Sequence, residues 1–143
     1  MRVYLAGPLF TPYERRYLDD CAARLRERGF DVFVPHEQAL ALGKTSAAEI
    51  FAKDVEGLAG AEAVLALLDG PQVDDGTACE IGLFYALMQA DPAKKGIVGL
   101  LTDLRSLRLE EGHGVNLFVE GCVEAAGGIV ESVDDAVAAL ERL

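Results

Sequence analysis

Short apolar runs rich in β-branched residues alternate along the chain with longer amphipathic ones, the pattern of repeated strand–helix units around a parallel sheet. "RVYLA" (2–6) predicts a first strand, ended by Gly7 and Pro8. From Pro12 to about Arg28, Tyr17, Leu18, Cys21 and Leu25 fall on one helical face, with Gly29 as the stop. "DVFVP" (31–35) reads as a second strand stopped by Pro35, and a helix opens at Ser46, whose partner Glu49 completes an S-x-x-E capping box. "AVLALLD" (63–69) is almost uninterruptedly apolar, as a central parallel strand covered on both faces should be. A helix from about Thr77 to Ala90 follows, then "GIVGLLT" (96–102) as the fourth strand. After a charged, glycine-rich loop a helix begins near Val115, "GGIV" supplies a short last strand, and "SVDDAVAALERL" closes as a capped helix.

These units predict an α/β fold: a three-layer, doubly wound, flavodoxin-like five-stranded parallel sheet, with 1–143 as a single domain. Ligands of such sheets bind beyond the carboxyl ends of the strands, which points to the loops after residues 6, 35, 69 and 102. The net charge of -11 argues against a nucleic-acid backbone or an anionic membrane as partner. Cys21, Cys79 and Cys122 lie far apart, which suggests neither zinc nor disulfides and implies reduced thiols in a cytoplasmic protein. No metal or cofactor is expected, His36 and His113 reading as isolated loop residues. No apolar stretch reaches the ~18 residues of a membrane span.

The chemistry concentrates in "LLDGPQVDDGTACEIGLFYAL" (67–87), where Asp69, Asp74, Asp75 and Glu80 crowd one turn and the helix after it. With a helix from Thr77, Glu80 sits in the first turn beside an Ile81, Phe84, Tyr85, Met88 stripe, where the helix dipole favours its ionised form. An ionised, sheltered carboxylate suits a nucleophile for a sugar anomeric carbon. Glu80 is equally an ordinary first-turn glutamate, and each aspartate taken alone is turn chemistry. Their clustering adds the prospect of a proton donor near neutral pH, because close like charges raise one another's pKa. Asp54, beside Ile50, Val55 and Leu58, reads as a solvated helical charge.

Four stretches in order, "VYLAGPLF", "KDVEGLAGAEAVLALLDG", "DDGTACEIGLFYAL" and "GVNLFVEG", resemble the nucleoside 2-deoxyribosyltransferase family over nearly the whole chain. The resemblance implies a retaining mechanism in which Glu80 attacks C1′ of a 2-deoxynucleoside, giving a deoxyribosyl ester and a free base, with a second base or water taking the sugar. It implies that Asp74 acts on the base, that Tyr4 orients Glu80, and that Gly7, Phe10, Asp54 and Gly76 serve substrate binding. It implies 2-deoxyribonucleosides and free nucleobases as partners, no cofactor, and a homo-oligomer, dimer or hexamer, with Asn116 reaching a neighbour's site in trans. Base selection falls to Glu37 or Gln38 in "PHEQALALGKT".

Two other readings stand beside it. A 2′-deoxynucleoside 5′-monophosphate N-glycosidase would need phosphate donors, whereas "AGPLFTPYERR" offers proline and leucine after the first strand, with Arg15, Arg16 or Arg105 as sources of positive charge. A non-catalytic nucleotide-binding module is the reading from another class, and no G-x-x-x-x-G-K-[ST] or G-x-G-x-x-G stretch supports it.

Overall fold

The structure, a computed structural model, describes residues 1–38, 45–106 and 114–143. His113 and residues 39–44, part of the loop expected to select the base, lie outside the described residues. β1 (Arg2–Ala6), β2 (Asp31–Phe33), β3 (Ala63–Leu67), β4 (Gly96–Leu100) and β5 (Gly127–Val130) form one sheet in the order β2-β1-β3-β4-β5, every pairing parallel. Helices α1 (Pro12–Glu27), α2 (Ala47–Gly60), α3 (Asp75–Ala90), α4 (Leu117–Glu124) and α5 (Val133–Arg142) connect and flank the strands. This is the doubly wound α/β order of flavodoxin-like proteins.

Strand alternation sends neighbouring side chains to opposite layers. Val3, Leu5, Leu65 and Leu100 pack with Leu18 and Leu25 of α1 and Val137 and Leu140 of α5. Tyr4, Ala6, Val64 and Ala66 pack with Leu58 of α2, Ile81 and Phe84 of α3, and Val119 and Val123 of α4. All of β3 and β4 is buried, which is why those segments show no polar alternation.

The expected elements are all present, and their ends differ for visible reasons. Strand β2 stops at Phe33 because Val34 leads into a 3-10 turn over Pro35–Glu37. The ladder between β3 and β4 continues one residue past the strands, Leu68 N–H donating to the Leu100 carbonyl at 2.9 Å. The Asp69 carboxylate then replaces it, accepting from Thr102 N and Oγ1 at 2.5 Å each and from Asp103 N at 2.9 Å. Helix α3 begins at Asp75 instead of Thr77 because Asp74 is its cap, Oδ2 accepting from Thr77 N at 3.0 Å. Helix α4 begins at Leu117 instead of Val115 because Asn116 caps it, Oδ1 accepting from Phe118 N at 2.9 Å.

Candidate active site

After β1 the chain turns into α1 on one face of the sheet, and after β3 it turns into α3 on the other. The carboxyl ends of these neighbouring strands therefore frame the switch-point crevice in which ligands of doubly wound sheets bind. Tyr4, on the α3 side of β1, is fully buried and stacks on Phe33 with ring centroids 5.2 Å apart. Gly57 of α2 makes that stack possible, since a Cβ there would fall 2.6 Å from the Phe33 ring. A buried hydroxyl is costly unless paired. The Tyr4 hydroxyl donates to Glu80 Oε1 and lies near enough to the Asp54 carboxyl of α2 for the two groups to perturb each other. One phenol thus joins carboxyl groups from two helices.

The electrostatics follow from this shelter. Burial is the main cause that pushes Glu80 up from 4.5 to about 7, the Tyr4 hydrogen bond opposes it, and the charges of Asp54 and Asp74 add to it. Burial also raises Asp54, again against the Tyr4 hydrogen bond. Tyr4 itself is raised, first by burial and then by Glu80, so it remains a neutral donor. The expectation that Glu80 occupies the first helical turn and is held ionised there is corrected. With α3 starting at Asp75, Glu80 is in the second turn, its recorded partner is Tyr4, and desolvation outweighs any help from the helix terminus.

Asp74 lies at the mouth of this group. Its Oδ2 takes two bonds from Thr77, at 3.0 and 3.1 Å, which leaves Oδ1 for a ligand. Gly76 keeps that carboxylate in place, because a Cβ would come 3.1 Å from Oδ2. Asp74 also lines a cleft of about 320 Å³ with Phe10, Glu14, Asp69 and Asp75. Phe10 is 76% exposed, so its ring is available to a flat ligand. Neither Glu80 nor Tyr4 lines the cleft; Asp74 links the two, its charge being felt at Glu80. A larger hollow of about 450 Å³ lies between α1 and the start of α5, away from these carboxylates, and contains none of the site residues. Its size is not matched by chemistry.

The structure therefore gathers Tyr4, Asp54, Asp74 and Glu80, and sets Phe10 in the same cleft as Asp74. Gly7 acts by absence: a Cβ would meet Leu18 Cδ2 at 2.8 Å and Leu67 Cβ at 3.2 Å, so it permits the sharp exit from β1. Asn116 caps α4, its oxygen engaged, with only its amide N–H groups left for a contact elsewhere. Glu37 is held by both terminal nitrogens of Arg26, at 2.9 and 2.6 Å, which lowers its pKa, and Gln38 donates to Val34 O at 3.2 Å. Asp75 accepts from Gly76 N at 2.9 Å, and Asp69 fastens the loop after β3 to that after β4. Sequence reading missed Glu14, although "TPYE" has the same capping-box spacing as "SAAE". Among the described residues no group of three or more His, Cys, Asp or Glu side chains is arranged to hold a metal ion, and no helix is long and apolar enough to cross a membrane.

Solved structures show the same architecture. A conserved protein from Enterococcus faecalis V583 superposes with TM-score 0.83 at 28% identity, covering 100% of this chain and 99% of that one. The 2-deoxyribosyltransferase of Bacillus psychrosaccharolyticus gives TM-score 0.70 at 22% identity over 96% and 90%. The CMP N-glycosidase of Clostridium botulinum gives 0.64 at 19% identity over 100% of both chains. No curated protein sequence matches significantly. The sequence model for nucleoside 2-deoxyribosyltransferase matches residues 3–134, nearly the whole chain, and on that match the chain belongs to the nucleoside 2-deoxyribosyltransferase family.

Proposed function

We propose that the chain moves 2-deoxyribose between nucleobases through a covalent ester on Glu80. The observation that carries this reading is the Glu80 carboxyl, sheltered, hydrogen-bonded to Tyr4 and beside Asp54 and Asp74 at the switch point. In the ionised form Glu80 attacks C1′, the bond from C1′ to the base nitrogen breaks, and the base leaves with its electron pair. Asp74 Oδ1 faces the departing base and relays a proton to it, while Phe10 packs on its ring. Tyr4 keeps its proton and donates to Glu80, which fixes the attacking carboxylate, and Asp54 holds the hydroxyl from the other side. A second base then attacks C1′, the ester bond between C1′ and Glu80 breaks to restore the carboxylate, and the N–H proton of the incoming base passes back to Asp74. Water in its place releases deoxyribose, which leaves the base already freed as the other product of the slower hydrolytic branch.

The working unit is a homo-oligomer in which Asn116 of one copy reaches the site of another through its amide N–H groups. What supports this is the flank of Asn116: Leu117 and Phe118 are each 80% exposed at the start of α4, which packs beside α3. Mixing inactive Glu80→Ala subunits with inactive Asn116→Ser subunits should then restore some activity, serine being chosen because it also caps a helix.

The primary test is to incubate deoxyinosine with adenine and follow deoxyadenosine by chromatography. New nucleoside in proportion to enzyme supports transfer. Deoxyribose without new nucleoside at any adenine concentration would replace transfer by hydrolysis.

A further inference from the structure

The cleft that holds Phe10 is lined by two stretches of chain: residues 69–72, 74 and 75 after β3, and Pro8, Phe10 and Glu14 after β1. The first stretch carries Asp74, and little of it is anchored by packing. Pro71 and Gln72 are exposed, and Gly70 has φ 128°, a backbone conformation that favours glycine. Val73 is buried in the α3 layer, so the Asp74 end of the loop is held by that side chain and by the helix cap. The other end is held by Asp69. Its Oδ1 accepts from Thr102 N at 2.5 Å and Asp103 N at 2.9 Å, and its Oδ2 accepts from Thr102 Oγ1 at 2.5 Å. Tyr17 of α1 lies near enough to Thr102 and Asp69 for both to perturb its hydroxyl, so a third element meets the anchorage. Both Asp69 oxygens are thus engaged, whereas the bonds to Asp74 fall on Oδ2 and leave Oδ1 for a ligand.

We infer that Asp69 is a positioning residue: by tying the loop after β3 to the end of β4, it holds Asp74 where an incoming base gives up its proton, and so favours base attack over water attack on the ester. The inference rests on the reading of Glu80 as the group that carries the sugar. In base attack a base nitrogen bonds to C1′, the C1′–O bond to Glu80 breaks, and the N–H proton passes to Asp74. In water attack the water oxygen bonds to C1′, the same C1′–O bond breaks, and the proton leaves to solvent. Only the first needs Asp74 in place. Four residues separate Asp69 from Asp74, so a shift at one end of the loop is carried toward the other. Displacing a reacting group by about an ångström can cost about a hundredfold in rate. A purely structural fastener would change how much protein is folded and leave the two products of one ester in constant proportion.

The test supplies deoxyinosine with rising adenine and reads the initial ratio of deoxyadenosine to deoxyribose, which climbs linearly with adenine below saturation. The slope of that ratio should fall about tenfold in Asp69→Ala. Asp69→Asn keeps an oxygen for the Thr102 and Asp103 N–H groups, so its slope should lie between those of Asp69→Ala and wild type, and it serves alone if the alanine variant does not fold. In an Asp74→Asn background, which retains a cap for α3, adding either Asp69 substitution should change the slope by less than about twofold, because the group it positions is gone. Ser132→Ala removes the cap of α5, outside this cleft, and should lower the melting temperature with the slope unchanged. A wild-type slope in every Asp69 variant that folds, or an undiminished loss in the Asp74→Asn background, would overturn the inference and leave base exchange standing. No deoxyadenosine from the wild-type protein at any adenine concentration would instead remove the transferase reading, and the inference with it.

Discussion

Over α1 and α5 the outer surface of the molecule is charged and paired, Arg24 meeting Asp134 and Arg28 meeting Glu141 at 2.6 Å. Over α2, α3 and α4 it carries large apolar side chains: Phe51 is 68% exposed, Leu117 and Phe118 are 80% exposed, and residues 81–90 of α3 carry no charge. The strands beneath are common to both layers, so the difference lies in the helices. One face is held by ion pairs between its helices, whereas the other combines exposed apolar side chains with the sheltered carboxyl groups of Glu80 and Asp54. A helix that is apolar on most sides belongs in an interior, and α3 has an interior on only one side within a single chain. The contrast teaches that the site face and the proposed oligomer face are the same face.

The largest effect should come from the centre of that face. Glu80→Ala is expected to lower turnover by at least about a thousandfold, because the carboxylate that forms the ester is removed, while the melting temperature stays near that of wild type. Activity close to wild type would remove the covalent mechanism. Next comes the apolar rim. Leu117→Ser with Phe118→Ser should lower the mass seen by sedimentation velocity and reduce turnover together; an unchanged mass with full activity would separate the two uses of this face.

The pH dependence is finer. Activity should rise through an acid limb near pH 7, where Glu80 ionises. Tyr4→Phe removes a hydrogen bond that lowers the Glu80 pKa and should move the limb to higher pH, whereas Asp54→Asn removes a charge that raises it and should move the limb to lower pH. Shifts in the same direction would dissolve the proposed division of labour. Stability tests the same group independently. Native Glu80 holds its proton up to about pH 7 and the unfolded chain only to about 4.5, so wild-type stability falls between these values as pH rises. Glu80→Gln, which cannot ionise, should gain on wild type across that window, match it below, and keep its advantage above. A constant difference measured by urea unfolding from pH 4 to 8 would contradict the burial of Glu80. The smallest effect belongs to the opposite face. Arg24→Ala, which breaks an exposed ion pair, should leave both activity and melting temperature nearly unchanged.

Much of the fold was legible because its signals are local. The buried strands read as apolar runs, and S-x-x-E at Ser46 and glycine at residue 29, which has φ 85°, marked helix ends. The ends that slipped, at Leu67, Leu100, Asp75 and Leu117, slipped where side chains took over from backbone pairing, as Asp69, Asp74 and Asn116 do. For the site, the family motifs named Tyr4, Asp54, Asp74 and Glu80, but neither motif nor spacing revealed which carboxyl would lose its water. Glu80 was read as a first-turn anion because dipole arguments are local, while desolvation depends on Tyr4 and Asp54 arriving from β1 and α2.

The parallel α/β architecture, the family and the residue types of the site were readable from the amino-acid order, since periodicity, caps and motif order are properties of contiguous chain. That Glu80 is raised to about 7 and that Asp69 is a fastener between two loops came only with the assembled fold. Each of these depends on which groups approach across the sheet, 76 positions apart in the case of Tyr4 and Glu80. The pKa of a carboxyl and the charge of a cleft are set by distance in space, which spacing along the chain does not encode.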